Sequence, residues 1–318
     1  MRFVKVKNIL MKTVNYVNYG KGKFSQLKLL ELKFKGWYLK LTPKYGACIL
    51  RCSYKNFDIL RPAETGWERT HDPMLTSYFP LVPYSNRIAN GQFQWENEHI
   101  NLKSNHVSQQ FPLHGIGWLS EWVVLEIKEN GCILEYKNSE SDWPWPFSVK
   151  QEITLKKTSM KISLTLENIG RNKMPAGLGF HPYFPLTKDL QLQFNAKSVY
   201  LSDDDNLPTK LTLVPNKWDF SHSKSVFETK VDNCFSGYDG KAHMTVGKKR
   251  YNLFVLSTKN LDHCVFYVPK NGNFFCLEPV NHMNNALALN PIQGVTLMPS
   301  LGPGEINHVE MLFDTNGI

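Results

Sequence analysis

No apolar stretch in the 318-residue sequence approaches the roughly 18 residues that a membrane-crossing helix needs. Lys5, Lys7 and Lys12 interrupt the start before a secretory apolar segment could form. A soluble, cytoplasmic chain with no membrane partner is expected. Cysteine is scarce, with six in the whole chain and no Cys-x-x-Cys pair, which excludes a disulfide scaffold and fits reduced thiols. Long stretches of 3.6-residue periodicity are hard to find, which argues against a helical bundle.

The common catalytic signatures are missing too. There is no Gly-x-x-x-x-Gly-Lys-[Ser/Thr], and the pairs Gly115-Ile116-Gly117 and Gly177-Leu178-Gly179 lack the third glycine of a dinucleotide fingerprint. No His-Glu-x-x-His and no Gly-x-Ser-x-Gly elbow occurs, and the spacing of His99 and His106 fits no familiar zinc signature. Neither a cofactor nor a metal is expected.

What the chain does contain is alternation. Leu30, Leu32 and Phe34 are set against Glu31, Lys33 and Lys35, and Ile162, Leu164 and Leu166 against Ser163, Thr165 and Glu167. Val149, Gln151, Ile153 and Leu155 keep the same period of two, that of half-buried strands. The 20 glycines and 18 prolines are scattered as turn punctuation rather than gathered in a linker. With 13% aromatic residues, this pattern suits an all-β fold, a large antiparallel β-sandwich whose inner faces need bulky filler. Strands begin near Leu27, so residues 1–26 read as an N-terminal extension, with Met11 a possible start, and residues 27–318 as a single sandwich domain. The net charge of +9 is spread over lysines that partly alternate along strands, which reads as a solvated face rather than a nucleic-acid surface. An anionic small substrate is the alternative reading.

Four segments place ionisable side chains among aromatics and turns: Pro83-Tyr84-Ser85-Asn86-Arg87-Ile88, Leu113-His114-Gly115, Gly179-Phe180-His181-Pro182-Tyr183-Phe184 and Leu277-Glu278-Pro279. Singly, each has an ordinary structural explanation: His181 as a hydrogen-bonded core histidine, His114 as a strand cap, Arg87 as a sheet-edge charge. Glu278, set in Phe274-Phe275-Cys276-Leu277, is harder to dismiss because a carboxylate is rarely buried without a partner.

In this order the segments resemble the aldose 1-epimerase family, the galactose mutarotases and their relatives. The resemblance takes in Asn86-Arg87-Ile88 with Gly91 and Phe93, Leu102, Asn105, Leu113-His114-Gly115 with Gly117-Trp118, and Trp122. It continues through Trp143-Pro144-Trp145-Pro146-Phe147, His181-Pro182-Tyr183-Phe184, Asp232-Asn233-Cys234-Phe235, Glu278-Pro279 and Pro303-Gly304-Glu305. It implies a galactose-mutarotase-like supersandwich, a small-molecule sugar in a cleft on one sheet, no cofactor, and a monomer or homodimer. It also implies that Glu278 takes the proton from the anomeric hydroxyl while His181 gives one to the ring oxygen, with Arg87, His114 and Asp232, and Asn86 beside them, holding the sugar. The chain departs from the family pattern at Tyr45-Gly46, Ile116, Pro185 and Pro279-Val280-Asn281-His282, which bears on substrate preference.

The residue types suit that reaction on their own chemistry. Opening a cyclic hemiacetal needs a base on the C1 hydroxyl and an acid on the ring oxygen together, and each positioned proton transfer is worth roughly 10²–10⁴-fold. The pair is expected to start as Glu278 carboxylate and His181 imidazolium, the latter favoured by a nearby carboxylate. Two other readings are an epimerase of an anionic sugar, such as a hexose 6-phosphate or a sulfonated sugar, with Arg61 and Arg69 as extra cations, and a non-catalytic carbohydrate-binding protein.

Overall fold

In the computed structural model, residues 28–139, 142–247, 251–289 and 298–316 are described. The expected extension, residues 1–26, and the alternative start at Met11 lie outside them. The apolar alternation nearest the start becomes the strand Leu30–Phe34, paired antiparallel with Trp37–Thr42, Leu30 opposite Leu41. The longer alternations become Phe147–Leu155 and Ser159–Asn168, paired along their whole length.

These strands belong to two large antiparallel sheets packed face to face. The larger runs Leu30–Phe34, Trp37–Thr42, Cys48–Tyr54, Tyr78–Leu81, Gly179–Pro185, Phe274–Val280, His263–Val268, Val231–Ser236, Ser198–Ser202 and Pro208–Leu213, with Phe57–Asp58 paired onto Cys48–Tyr54. The second has nine strands, with Ser159–Asn168, Ile306–Asp314 and Phe147–Leu155 near its middle. The chain is thus all-β, as its alternation predicts.

Aromatic rings join the sheets. Phe184 of the larger sheet meets Phe313 of the second at 6.3 Å between ring centroids, and the Tyr78 hydroxyl donates to Gln151 Oε1 across the gap at 2.9 Å. Gln151, at a core position of an otherwise apolar face, is fully buried and spends its amide N–H on the Ala47 carbonyl at 3.1 Å. A buried amide satisfied on both ends costs little. All six cysteines are free and buried.

Which face of the larger sheet looks inward decides where the site lies. Because Tyr78 and Phe184 face the second sheet, side chains in the opposite phase, Phe79, His181 and Tyr183, emerge on the outer face. That face is not bare. Segments 82–93 and 113–118 fold over it, and they carry the cluster of functional residue types.

Candidate active site

The register of the larger sheet assembles the floor of the site in two rows. Gly179 pairs with Val280 and Tyr183 with Cys276, so His181 falls across from Glu278; His181 also pairs with Phe79 on its other side. Glu278 pairs with Val265, and Val265 with Cys234. One row thus reads Phe79, His181, Glu278, Val265, Cys234, and the next reads Tyr183, Cys276, Tyr267, Asp232. Side chains two apart on a strand share a face, which is why Cys276 and Glu278 stand side by side.

His181 Nε2 lies 3.3 Å from Glu278 Oε1, with side-chain exposures of 8% and 3%. Phe79 packs 4.3 Å and Tyr183 4.7 Å from the imidazole, and His114 meets it edge-on at 5.1 Å. The ring is therefore held in place by aromatic contacts on several sides. Glu278 Oε2 is buried and has no hydrogen-bond partner, and the same holds for His181 Nδ1. An unpaired buried carboxylate oxygen is costly unless a ligand completes it.

Burial governs the charges. Desolvation pushes the Glu278 carboxyl well above the usual carboxylate range, with Asp232 adding to the rise and Arg87 opposing it. Desolvation also pulls the His181 imidazole down to about 3, with Arg61 adding to the fall. Burial thus disfavours the charged form of each partner and opposes the carboxylate and imidazolium in which the pair is expected to start.

The wall is built from two loops that lock each other. His114 Nδ1 accepts from the Asn86 backbone N–H at 3.1 Å, while the His114 N–H donates to the Asn86 carbonyl at 3.0 Å. The first bond places the His114 proton on Nε2, and burial, followed by His181 and Arg87, keeps this imidazole neutral. Both residues adopt left-handed backbone, with φ near 58°. Gly115 follows at φ 74°, and a Cβ there would sit 2.0 Å from the Val82 carbonyl oxygen, so the turn admits only glycine. Asn105 clasps the same loop from outside, donating to the Leu113 and Gly115 carbonyls and accepting from the Leu113 N–H. The Arg87 guanidinium reaches Asn86 Oδ1 at 3.3 Å and Gln109 Oε1 at 3.2 Å.

A third segment, continuous with the Glu278 strand, ties wall to floor. His282 Nε2 accepts from the Ser85 N–H at 3.0 Å, Asn285 Oδ1 accepts from the Ala89 N–H at 2.8 Å, and the Asn285 N–H donates to the Arg87 carbonyl at 3.1 Å. The chain after Glu278 therefore carries the Arg87 loop. Asp232, half-buried, stands at the end of the second floor row, and burial raises its carboxyl against the pull of Arg87.

All six residues singled out in the sequence, Asn86, Arg87, His114, His181, Asp232 and Glu278, thus converge on one face. Sequence reading assigned no role to Phe79, Tyr183, Cys276 or the strap His282-Asn285. The period of two around Glu278 was the available signal for Cys276. The anionic-sugar reading leaned on Arg61, but its guanidinium is buried, bonded to Glu64 and to the Met74 and Thr76 carbonyls, and stacked between Tyr183 and Phe274 at 4.2 and 4.4 Å. Arg69 is exposed on the short helix Trp67–Thr70.

Comparison with known proteins gives the chain relatives in both sequence and fold. A family model described as aldose 1-epimerase matches residues 29–314. An uncharacterized Escherichia coli protein, YphB, is 28% identical over 232 residues, covering 70% of this chain and 78% of its own. An aldose 1-epimerase from Haemophilus influenzae is 29% identical over 195 residues, covering 59% of this chain and 55% of its own length. Among solved structures, that of a putative aldose 1-epimerase from Escherichia coli K12 superposes with a TM-score of 0.82 at 26% identity, covering 91% of this chain and 99% of that one. A galactose mutarotase-like protein from Clostridium acetobutylicum shares the fold, with a TM-score of 0.80 at 16% identity over 92% of this chain and 99% of that one.

Proposed function

The chain belongs to the aldose 1-epimerase family, a family of isomerases, and from that premise we propose that it interconverts the α and β anomers of a free aldose, with Glu278 and His181 as its acid–base pair. The observation that carries the reading is the 3.3 Å contact between His181 Nε2 and Glu278 Oε1 beneath the Arg87 and His114 loops, with Glu278 Oε2 left unpaired.

In the ring-opening direction the Glu278 carboxylate takes the proton of the C1 hydroxyl while the imidazolium of His181 protonates the ring oxygen. The C1–O5 bond breaks and C1 becomes an aldehyde. Rotation about the C1–C2 bond presents the other face of the carbonyl to the C5 hydroxyl, and the same transfers run backwards. The pair enters ring opening as carboxylate and imidazolium and leaves it as carboxylic acid and neutral imidazole, and ring closure runs the reverse. Burial favours the second state, the one that accompanies the open chain. A sugar hydroxyl donating to Oε2 restores the first, because it supplies the hydrogen bond that the buried carboxylate lacks.

Arg87, permanently charged, steadies negative charge on a substrate oxygen, and neutral His114 offers its Nε2 proton to a hydroxyl. Asp232 and Asn86 complete the polar lining. The anionic-sugar reading keeps chiefly the overall charge of +9 in its favour, since the Arg61 guanidinium is buried and its two terminal nitrogens are bonded to Glu64 and to the Met74 and Thr76 carbonyls.

The test is polarimetry on freshly dissolved α-galactose and α-glucose. Wild-type protein should speed the approach to equilibrium, and Glu278→Gln, which keeps the shape and removes the base, should bind sugar while losing at least about 10²-fold in rate. Full activity in that variant would move the base elsewhere.

A further inference from the structure

His181 and Glu278 have a third neighbour that the proton chemistry does not use. Cys276 precedes Glu278 by two residues on the Phe274–Val280 strand and is fully buried. His181, Cys276 and Glu278 each offer a ligand atom, and these atoms all lie within 4.8 Å of one another. No other such group occurs among the described residues. Imidazole, thiolate and carboxylate are the three ligand types that zinc takes, and bond lengths of about 2.0–2.3 Å separate tetrahedral ligands by about 3.3–3.8 Å. The nitrogen–oxygen spacing of 3.3 Å already meets that requirement.

We propose that the floor of the site also binds a single soft divalent cation of the zinc type, held by His181 Nε2, Cys276 Sγ and the Glu278 carboxylate, and that this cation and the sugar exclude each other. The three side chains sit on two adjacent strands of a rigid sheet, so small side-chain rotations close the set. Glu278 Oε2 is buried without a partner, and a cation satisfies it as fully as a hydroxyl does.

Coordination forms bonds to nitrogen, sulfur and oxygen and releases the thiol proton and the proton shared by the acid–base pair. It therefore removes the base and the acid together, and the inhibited form has no residual route through either. Sequence signatures could not reveal the site, because its ligands come from separate strands rather than from one Cys-x-x-Cys or His-x-x-x-His segment. The exclusion of sugar rests on the proposed anomer exchange; the binding of the cation does not.

Cadmium, spectroscopically visible where zinc is silent, separates the two. Titrating the metal-free protein with Cd²⁺ alone should produce a thiolate-to-cadmium absorption band that saturates at one equivalent. Cys276→Ser and Cys276→Ala should lose the band, and His181→Asn should bind at least about tenfold more weakly. Cadmium NMR of the wild-type protein, which needs no variant to fold, should report one sulfur in the ligand set. A missing band, one that survives in a folded Cys276 variant, or a resonance without sulfur overturns the site. Zn²⁺ should also suppress mutarotation in proportion to occupancy, with recovery on chelation and with added sugar. Full turnover in the cadmium-saturated protein overturns the exclusion while leaving the binding result in place.

Discussion

At the level of single residues, burial acts on two ionisable groups of the site in opposite directions. Glu278 is held protonated far above the pH at which an unfolded glutamate ionises, so its contribution to stability is present at low pH and is lost as pH rises from the ordinary carboxylate range through the folded value. Glu278→Gln removes that liability. Its melting temperature relative to wild type should therefore rise between pH 5 and pH 8, measured by calorimetry in matched buffers; a constant difference would mean that the carboxyl is already ionised in the fold. His181 shows the opposite sign: its neutral form is favoured down to about pH 3, so its contribution fades as pH falls from the ordinary histidine range. The two histidines of the site should also separate kinetically. His181→Asn removes the proposed proton donor and should lower turnover by about 10²–10⁴-fold. His114→Asn removes one hydroxyl contact and should act chiefly on KM. The residue types and the family resemblance made Glu278 and His181 legible in the sequence, but their protonation was not, because desolvation depends on aromatic neighbours such as Phe79 and Tyr183 that arrive from other strands.

At the scale of elements, the site is a sheet face closed by three loops, and each loop has a lock. Gly115 is the tightest. Gly115→Ala sets a methyl group against the Val82 carbonyl in a backbone region that disfavours side chains, and the strain should lower the melting temperature by about 5 °C or more. His282→Ala should cost about 1–3 kcal/mol in denaturant unfolding, because it leaves the buried Ser85 N–H without an acceptor. An unchanged midpoint in either variant would show that the loop has another hold. The strands at Leu30 and Ile162 could be read from their period of two alone. The strap could not, since His282 and Asn285 look like ordinary polar loop residues until the fold sets them against Ser85 and Ala89.

At the scale of the whole molecule, the distribution of charge argues about substrate. A neutral sugar feels no long-range attraction from a net charge of +9, whereas an anionic one is steered by it and loses that help when salt screens the field. For a free aldose, kcat/KM should change by less than about twofold between low and high salt; a steep fall, together with faster turnover of a hexose 6-phosphate, would favour the anionic class. The all-β class was readable from composition and alternation, yet the order of strands was not. Gly179–Pro185 lies beside Phe274–Val280, although eight other described strands come between them along the chain, and such long-range pairing leaves no local trace. In the proposed exchange Glu278 and His181 transfer protons from and to the sugar in concert, and a double-mutant cycle reads that coupling. Anomer exchange rates by polarimetry for Glu278→Gln, His181→Asn and the double variant should show the double no slower than the worse single, since either loss breaks the same proton circuit. Losses that multiply would contradict a coupled pair.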